Sequence, residues 1–222
     1  MFFMTVKYSL LTLVIAFVMT LDAYAFKLSS PEFTNNGMLS VKHAACKLSA
    51  SQQQVVFGEN TNPALKWDDA PAKTKSFVLI VTDPNVPLDR RNVNVAGKTI
   101  SKAAPRQTVY HWIITNIPSD IHSIKAGVAS AKSANENKPV IKLSNSWASI
   151  VSYTDKKAFA KSYVGPCPPS NDERTHHYIF NLYALNVSSV PQGLTKKQLI
   201  KFVKQHALKK ARLVAIRSNN PN

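Results

Sequence analysis

The chain has 222 residues, with 28 Lys and Arg against 12 Asp and Glu, a formal net charge of +16. That surplus favours anionic partners such as phosphorylated ligands, anionic lipid head groups or nucleic acid, without choosing among them. The two cysteines, Cys46 and Cys167, have no C-x-x-C spacing, which argues against a thiol redox enzyme.

Lys7 precedes an apolar run over residues 8–21 (YSLLTLVIAFVMTL), and Ala23-Tyr24-Ala25 follows with small residues at its first and third places. A positive charge, a short apolar stretch and a small-x-small site, in that order, read as an export signal cleaved before Phe26. The expected organisation is a signal peptide over 1–25 and a single domain over 26–222, periplasmic or secreted. Cleavage removes Lys7 and Asp22 together, so the remaining 197 residues keep the charge of +16 and are enough for one substantial core. An oxidising compartment makes a Cys46–Cys167 disulfide the default. It would close a loop of about 120 residues, contributing about 4–5 kcal/mol in the chain-entropy treatment.

Residues 76–82 (SFVLIVT) read as a buried strand ended by Asp83-Pro84, and two prolines stiffen the Asp83–Pro87 turn. A long polar connection, 88–108, carries Arg90, Arg91, Lys98, Lys102 and Arg106, and is expected to be exposed and mobile. Residues 109–115 (VYHWIIT) form a second strand, closed by Asn116-Ile117-Pro118; 130–142 read as another polar excursion. Gly165-Pro166-Cys167-Pro168-Pro169 is a rigid turn. His176-His177-Tyr178 opens a third strand through Leu185, with Tyr178, Phe180, Leu182 and Ala184 on one face. Thr195-x-x-Gln198 is a capping box, starting a helix with Leu199 and Val203 on its apolar stripe and lysines around it. Residues 211–216 form a last strand and 217–222 a frayed tail. Short strands between Pro-rich turns, with one helix, predict an all-β sandwich.

Asp83, His111, His176 and Tyr178 all fall near strand ends, where their donors suit a phosphate or another oxyanion. Taken in order, Asn62-Pro63-Ala64-Leu65-Lys66-Trp67, residues 77–87, residues 111–118, the 165–169 turn and His176-His177-Tyr178 resemble the phosphatidylethanolamine-binding protein family, also called Raf-kinase-inhibitor-like proteins. The export signal and two cysteines look most like its bacterial exported branch. This resemblance implies a mainly β, antiparallel sandwich with a C-terminal helix, a Cys46–Cys167 bridge, and a rim pocket for phosphate-like and carboxylate-like anions, including phospholipid head groups. By motif match, Asp83, His111, His176 and Tyr178 line that pocket, with Pro87 and the 165–169 turn as walls. Two features depart from the family: Asn85 stands where an Asp is common, and the 88–108 connection is longer and more basic than usual in that branch.

The resulting expectation is a non-catalytic exported protein that binds a small phosphate-bearing or carboxylate ligand, without a cofactor. An anionic membrane surface or a target protein is a further expected partner. An inhibitor of a protease or kinase is the alternative, and a metal-dependent hydrolase using Asp83, His111 and His176 a weaker one. No G-x-S-x-G elbow and no nucleic-acid module is visible.

Overall fold

The computed structural model describes residues 25–51, 54–128, 141–142 and 163–221. The expected export signal up to residue 24 and the polar stretch 130–140 lie outside them. Eleven strands and one α-helix occur among the described residues, in the order β1 (Lys27–Ser29), β2 (Gly37–Met38), β3 (Cys46–Leu48), β4 (Val55–Phe57), β5 (Leu65–Asp68), β6 (Ser76–Pro87), β7 (Arg106–Pro118), β8 (Ser123–Ile124), β9 (Ile141–Lys142), β10 (His176–Leu185), α1 (Lys196–His206) and β11 (Ala207–Arg217). Six of them form one sheet, ordered β2-β11-β10-β6-β7-β9, and β1-β5-β8 form a smaller one. β3 and β4 pair separately as a hairpin. The fold is mainly β, as expected.

The uninterrupted apolar run of β6 follows from cover on both faces. Phe77, Leu79 and Val81 join Trp67, Trp112, Phe180 and Leu182 in the core facing the small sheet. Val78 and Ile80 point the other way, onto Ile113 and the buried stripe of α1, Leu199 and Val203. A strand alternating polar and apolar residues would leave one of these interfaces wet. The helix starts at Thr195 with both halves of its capping box made, Thr195 Oγ1 accepting from the Gln198 N–H and Gln198 Oε1 accepting from the Thr195 N–H.

Four expectations are corrected. β6 does not end at Asp83-Pro84. It runs on to Pro87, pairing Asp83 with Val109, Val86 with Gln107 and Pro87 with Arg106. Pro84 and Asn85 stand against Thr108 alone, a bulge in which the missing N–H of proline costs no ladder bond. β7 begins at Arg106 rather than 109. The tail is not frayed: Asn219 is buried and donates from Nδ2 to the Pro168 carbonyl at 2.9 Å, and Asn220 Nδ2 donates to the Asp172 carbonyl at 3.1 Å.

The fourth concerns the 88–108 connection. Most of its side chains are exposed, but it is fastened to residues 170–174. The Asn94 N–H donates to Asn171 Oδ1, the Ser170 N–H to Asn94 Oδ1, and Asn171 Nδ2 to the carbonyls of Asn92 and Lys98, at 2.7–3.0 Å. Ile100 bridges Asp172 in parallel. Asparagine amides supply the backbone partners that a polar composition alone would assign to water.

Candidate functional site

The pairing of the central strands brings the predicted residues to one end of the large sheet. Ile179 pairs with Thr82, so the next residue of each strand places Tyr178 beside Asp83. On β7, Trp112 faces Val81 and Tyr110 faces Thr82, leaving His111 as the unopposed residue of a bulge. The extra residue turns His111 toward the core face, where its ring meets that of Tyr178 edge-on at 5.1 Å. The 165–169 turn is set against them by Asn60, which donates from Nδ2 to the Tyr163 carbonyl and accepts from the Gly165 N–H. Gly165 is required, since a Cβ there would collide with the His43 carbonyl. The Cys46–Cys167 disulfide joins this turn to β3, with Cα atoms 4.9 Å apart.

These parts enclose a cavity of about 530 Å³, lined by Asp83, Pro87, His111, His176 and Tyr178 among others. All five residues expected at the pocket are brought together. The chemistry among them is tighter than a set of open donors. His176 lies between two carboxylates: Nδ1 is 2.6 Å from Asp83 Oδ2 and Nε2 is 3.1 Å from Asp172 Oδ2. Burial opposes its charging, but hydrogen bonds to Asp172 and Asp83 outweigh that and raise its pKa above the ordinary 6.5. His176 is therefore an imidazolium with both nitrogens engaged, a positioning group for Asp83 rather than a donor aimed into the cavity. Asp83 Oδ1 also accepts the Asn85 N–H at 2.7 Å.

Two members of this network were not singled out in the sequence. Asp172 and Arg106 form a buried bidentate pair, at 2.5 and 3.0 Å. Burial raises the Asp172 pKa, yet the hydrogen bonds from His176, Arg106 and the Arg174 N–H hold it down to about 2. Asp172 lies four residues before His176 in an irregular segment, and Arg106 is one basic residue among several. The Ile100–Asp172 bridge and the asparagine bonds beside it unite them, and nothing in the local sequence signals these contacts.

His111 is in the opposite electrostatic state. Burial lowers its pKa, against the smaller pull of Asp83, so the ring is neutral at pH 7. Nδ1 donates to the Val164 carbonyl at 2.7 Å, which makes Nε2 the unprotonated nitrogen of the neutral ring. Burial and the neighbouring Asp83 push the Tyr178 hydroxyl well above 10, so it stays protonated. Asn85 Oδ1, in place of a second rim carboxylate, accepts the His177 N–H at 2.9 Å. Among the described residues no three His, Cys, Asp or Glu side chains are grouped to hold a metal ion. His176, with a carboxylate at each ring nitrogen, has no nitrogen left to join Asp83 and His111 in such a set.

Two packed sheets with a partly enclosed cavity at one end of the larger define a mainly β sandwich. The profile of the family described as phosphatidylethanolamine-binding protein matches residues 29–218, and the chain belongs to that family. It is 31% identical over 160 residues to a UPF0098 protein of Methanothermobacter thermautotrophicus, spanning 72% of this chain and 83% of the relative. With the UPF0098 protein YbhB of Escherichia coli it shares 29% over 162 residues, 72% of this chain and 82% of the relative. Its fold is similar to that of E. coli YbcL, with a TM-score of 0.63 at 20% identity, covering 87% of this chain and 98% of the other. A phosphatidylethanolamine-binding protein homologue from Chlamydia trachomatis gives a TM-score of 0.59 at 25% identity, covering 87% and 97%.

Proposed function

We propose that this protein is an exported, non-catalytic binding protein whose cavity takes a small phosphate-bearing or carboxylate anion. The observation that carries this reading is the cavity itself, where His111 and the Tyr178 phenol sit beside a charge-balanced, immobilised network. Its volume falls in the range of small-molecule sites. A catalytic reading is less well supported, because Asp83 and His176 spend their proton-transfer atoms on each other, Asn85 and Asp172. Export is supported by the signal-like residues 7–25 and by the disulfide, which persists in oxidising compartments. Intact mass of protein recovered outside the cytoplasm should correspond to a chain beginning at Phe26.

Calorimetry tests the ligand. The Nδ1 proton of His111 is committed to Val164, so an anion oxygen requires a second proton at Nε2. Binding of sulfate, whose own charge is constant from pH 5 to 8, should therefore be coupled to proton uptake. Because the His111 pKa in the empty protein lies below 6.5, affinity should already be falling as pH rises toward neutrality. His111→Ala should abolish the proton uptake. Binding that is independent of pH, or unchanged in His111→Ala, would place the anion elsewhere.

A further inference from the structure

Among the described residues, the charge balance of the cavity leaves one cation over. Asp83 and His176 line it and are joined to Asp172 and Arg106, which do not, giving two cations against two carboxylates, and His111 is neutral. Arg90, from the connection between β6 and β7, is the one Lys or Arg among the lining residues. Its neighbour Asp89 is already taken: Arg91 grips that carboxylate through Nε and Nη2 at 2.6–3.1 Å. The Arg90 guanidinium makes no hydrogen bond or ion pair with another described residue, although its surroundings partly desolvate it and lower its pKa. Arg90 is exposed at the opening, so its guanidinium can turn onto an anion in the cavity without giving up a partner among the described residues.

The wall around Arg90 is apolar. Val93 lines the cavity from the same connection, and Asn94 beside it is locked to Ser170 and Asn171. Val55 and Val56 line it from the β3–β4 hairpin, which the disulfide ties to the 165–169 turn. Val56 is 37% exposed and borders the same opening. A bare phosphate would leave this wall wet.

We propose that the 88–105 connection and the β3–β4 hairpin form an outer compartment of the cavity that selects anions bearing an apolar substituent, with Arg90 supplying the charge and Val55, Val56 and Val93 the apolar contact. The ligand class is a phosphate monoester, or the analogous carboxylate, with a short alkyl or aryl group. The inference rests on the anion-binding reading above and adds the part of the ligand that reading leaves open. Its source is either a soluble monoester or the head of a lipid, both of which present the same chemistry.

The test is calorimetry of the intact exported chain with inorganic phosphate and methyl, butyl and hexyl phosphate. Affinity should climb along the series, by up to about fourfold for each methylene buried. Arg90→Gln should weaken every member about tenfold, the scale of a lost charge-assisted hydrogen bond, and Arg90→Lys should restore part of it. Lys98→Gln removes the same charge outside the cavity and should change little. Val56→Ser with Val93→Ser should flatten the series while inorganic phosphate binds as before; both sites are partly exposed, and a thermal melt verifies folding. Displacement of hexyl phosphate by phosphatidic acid vesicles would identify a lipid source, and the lack of it a soluble one. A flat series in the unmodified protein, or full affinity in Arg90→Gln while His111→Ala loses binding, would overturn the outer compartment and leave the anion site standing. If neither phosphate nor any ester binds, both readings fall.

Discussion

His176 draws its charge from two carboxylates at once, and each carboxylate depends on it in return. Asp172 holds one side of the ring and is itself forked by Arg106, so removing either acid or base leaves a buried partner uncompensated. Breaking such a pair typically costs about 3 kcal/mol or more, and Arg106→Ala should lose about that much in urea unfolding at pH 7. The pH profile follows from the same contacts. His176 has a raised pKa in the folded state, so its contribution is complete below about 6.5 and disappears as pH rises through the folded value. Asp172 has a lowered one, so its contribution is present above about 3.8 and is lost as pH falls toward about 2. Asp172→Asn should reduce both dependences and move the imidazole resonances of His176 to titrate closer to 6.5. Unchanged titration would mean that Asp172 does not hold the ring.

The β3–β4 hairpin belongs to neither main sheet, and the disulfide is its covalent tie to the 165–169 turn. Replacing Cys46 and Cys167 by Ser should lower stability by about 4–5 kcal/mol, because the unfolded chain recovers the freedom of a loop spanning 121 positions. Amide exchange should then accelerate first in Cys46–Leu48 and Val55–Phe57; uniform acceleration across β6 and β10 would show instead that the bridge stabilises the whole sandwich. The long strands and the helix were legible in the sequence, whereas the short strands β1 to β5, β8 and β9 were not. β-branched runs marked β6 and β7, alternation marked β10, and Thr195-x-x-Gln198 marked the start of α1. The extension of β6 past Asp83-Pro84 was hidden, because a bulge tolerates proline where a regular ladder does not. The anchoring of 88–105 was hidden because its partners, Asn171 and Ser170, lie more than seventy residues away. At the site, the motif residues were readable as cavity lining, but their charge states were not. Those states depend on Asp172 and Arg106, which only the tertiary fold brings to His176.

At the scale of the whole molecule, the basic surplus is unevenly placed. No Asp or Glu follows Glu173, while that last part of the chain contains Arg174, Lys196, Lys197, Lys201, Lys204, Lys209, Lys210, Arg212 and Arg217. This surface attracts any anion weakly and with strong dependence on salt, so bulk affinity alone does not report on the cavity. The site resolves the two, because the cavity residues lie at one end of the large sheet whereas α1 packs on its outer face. The most direct test is an NMR titration of the chain from Phe26 onward with inorganic phosphate at physiological salt. Saturable shifts of the His111 imidazole and the Tyr178 ring, at constant positions for the α1 and β11 lysines, are the result predicted by anion binding in the cavity. Shifts confined to those lysines, with His111 and Tyr178 unmoved, would contradict it.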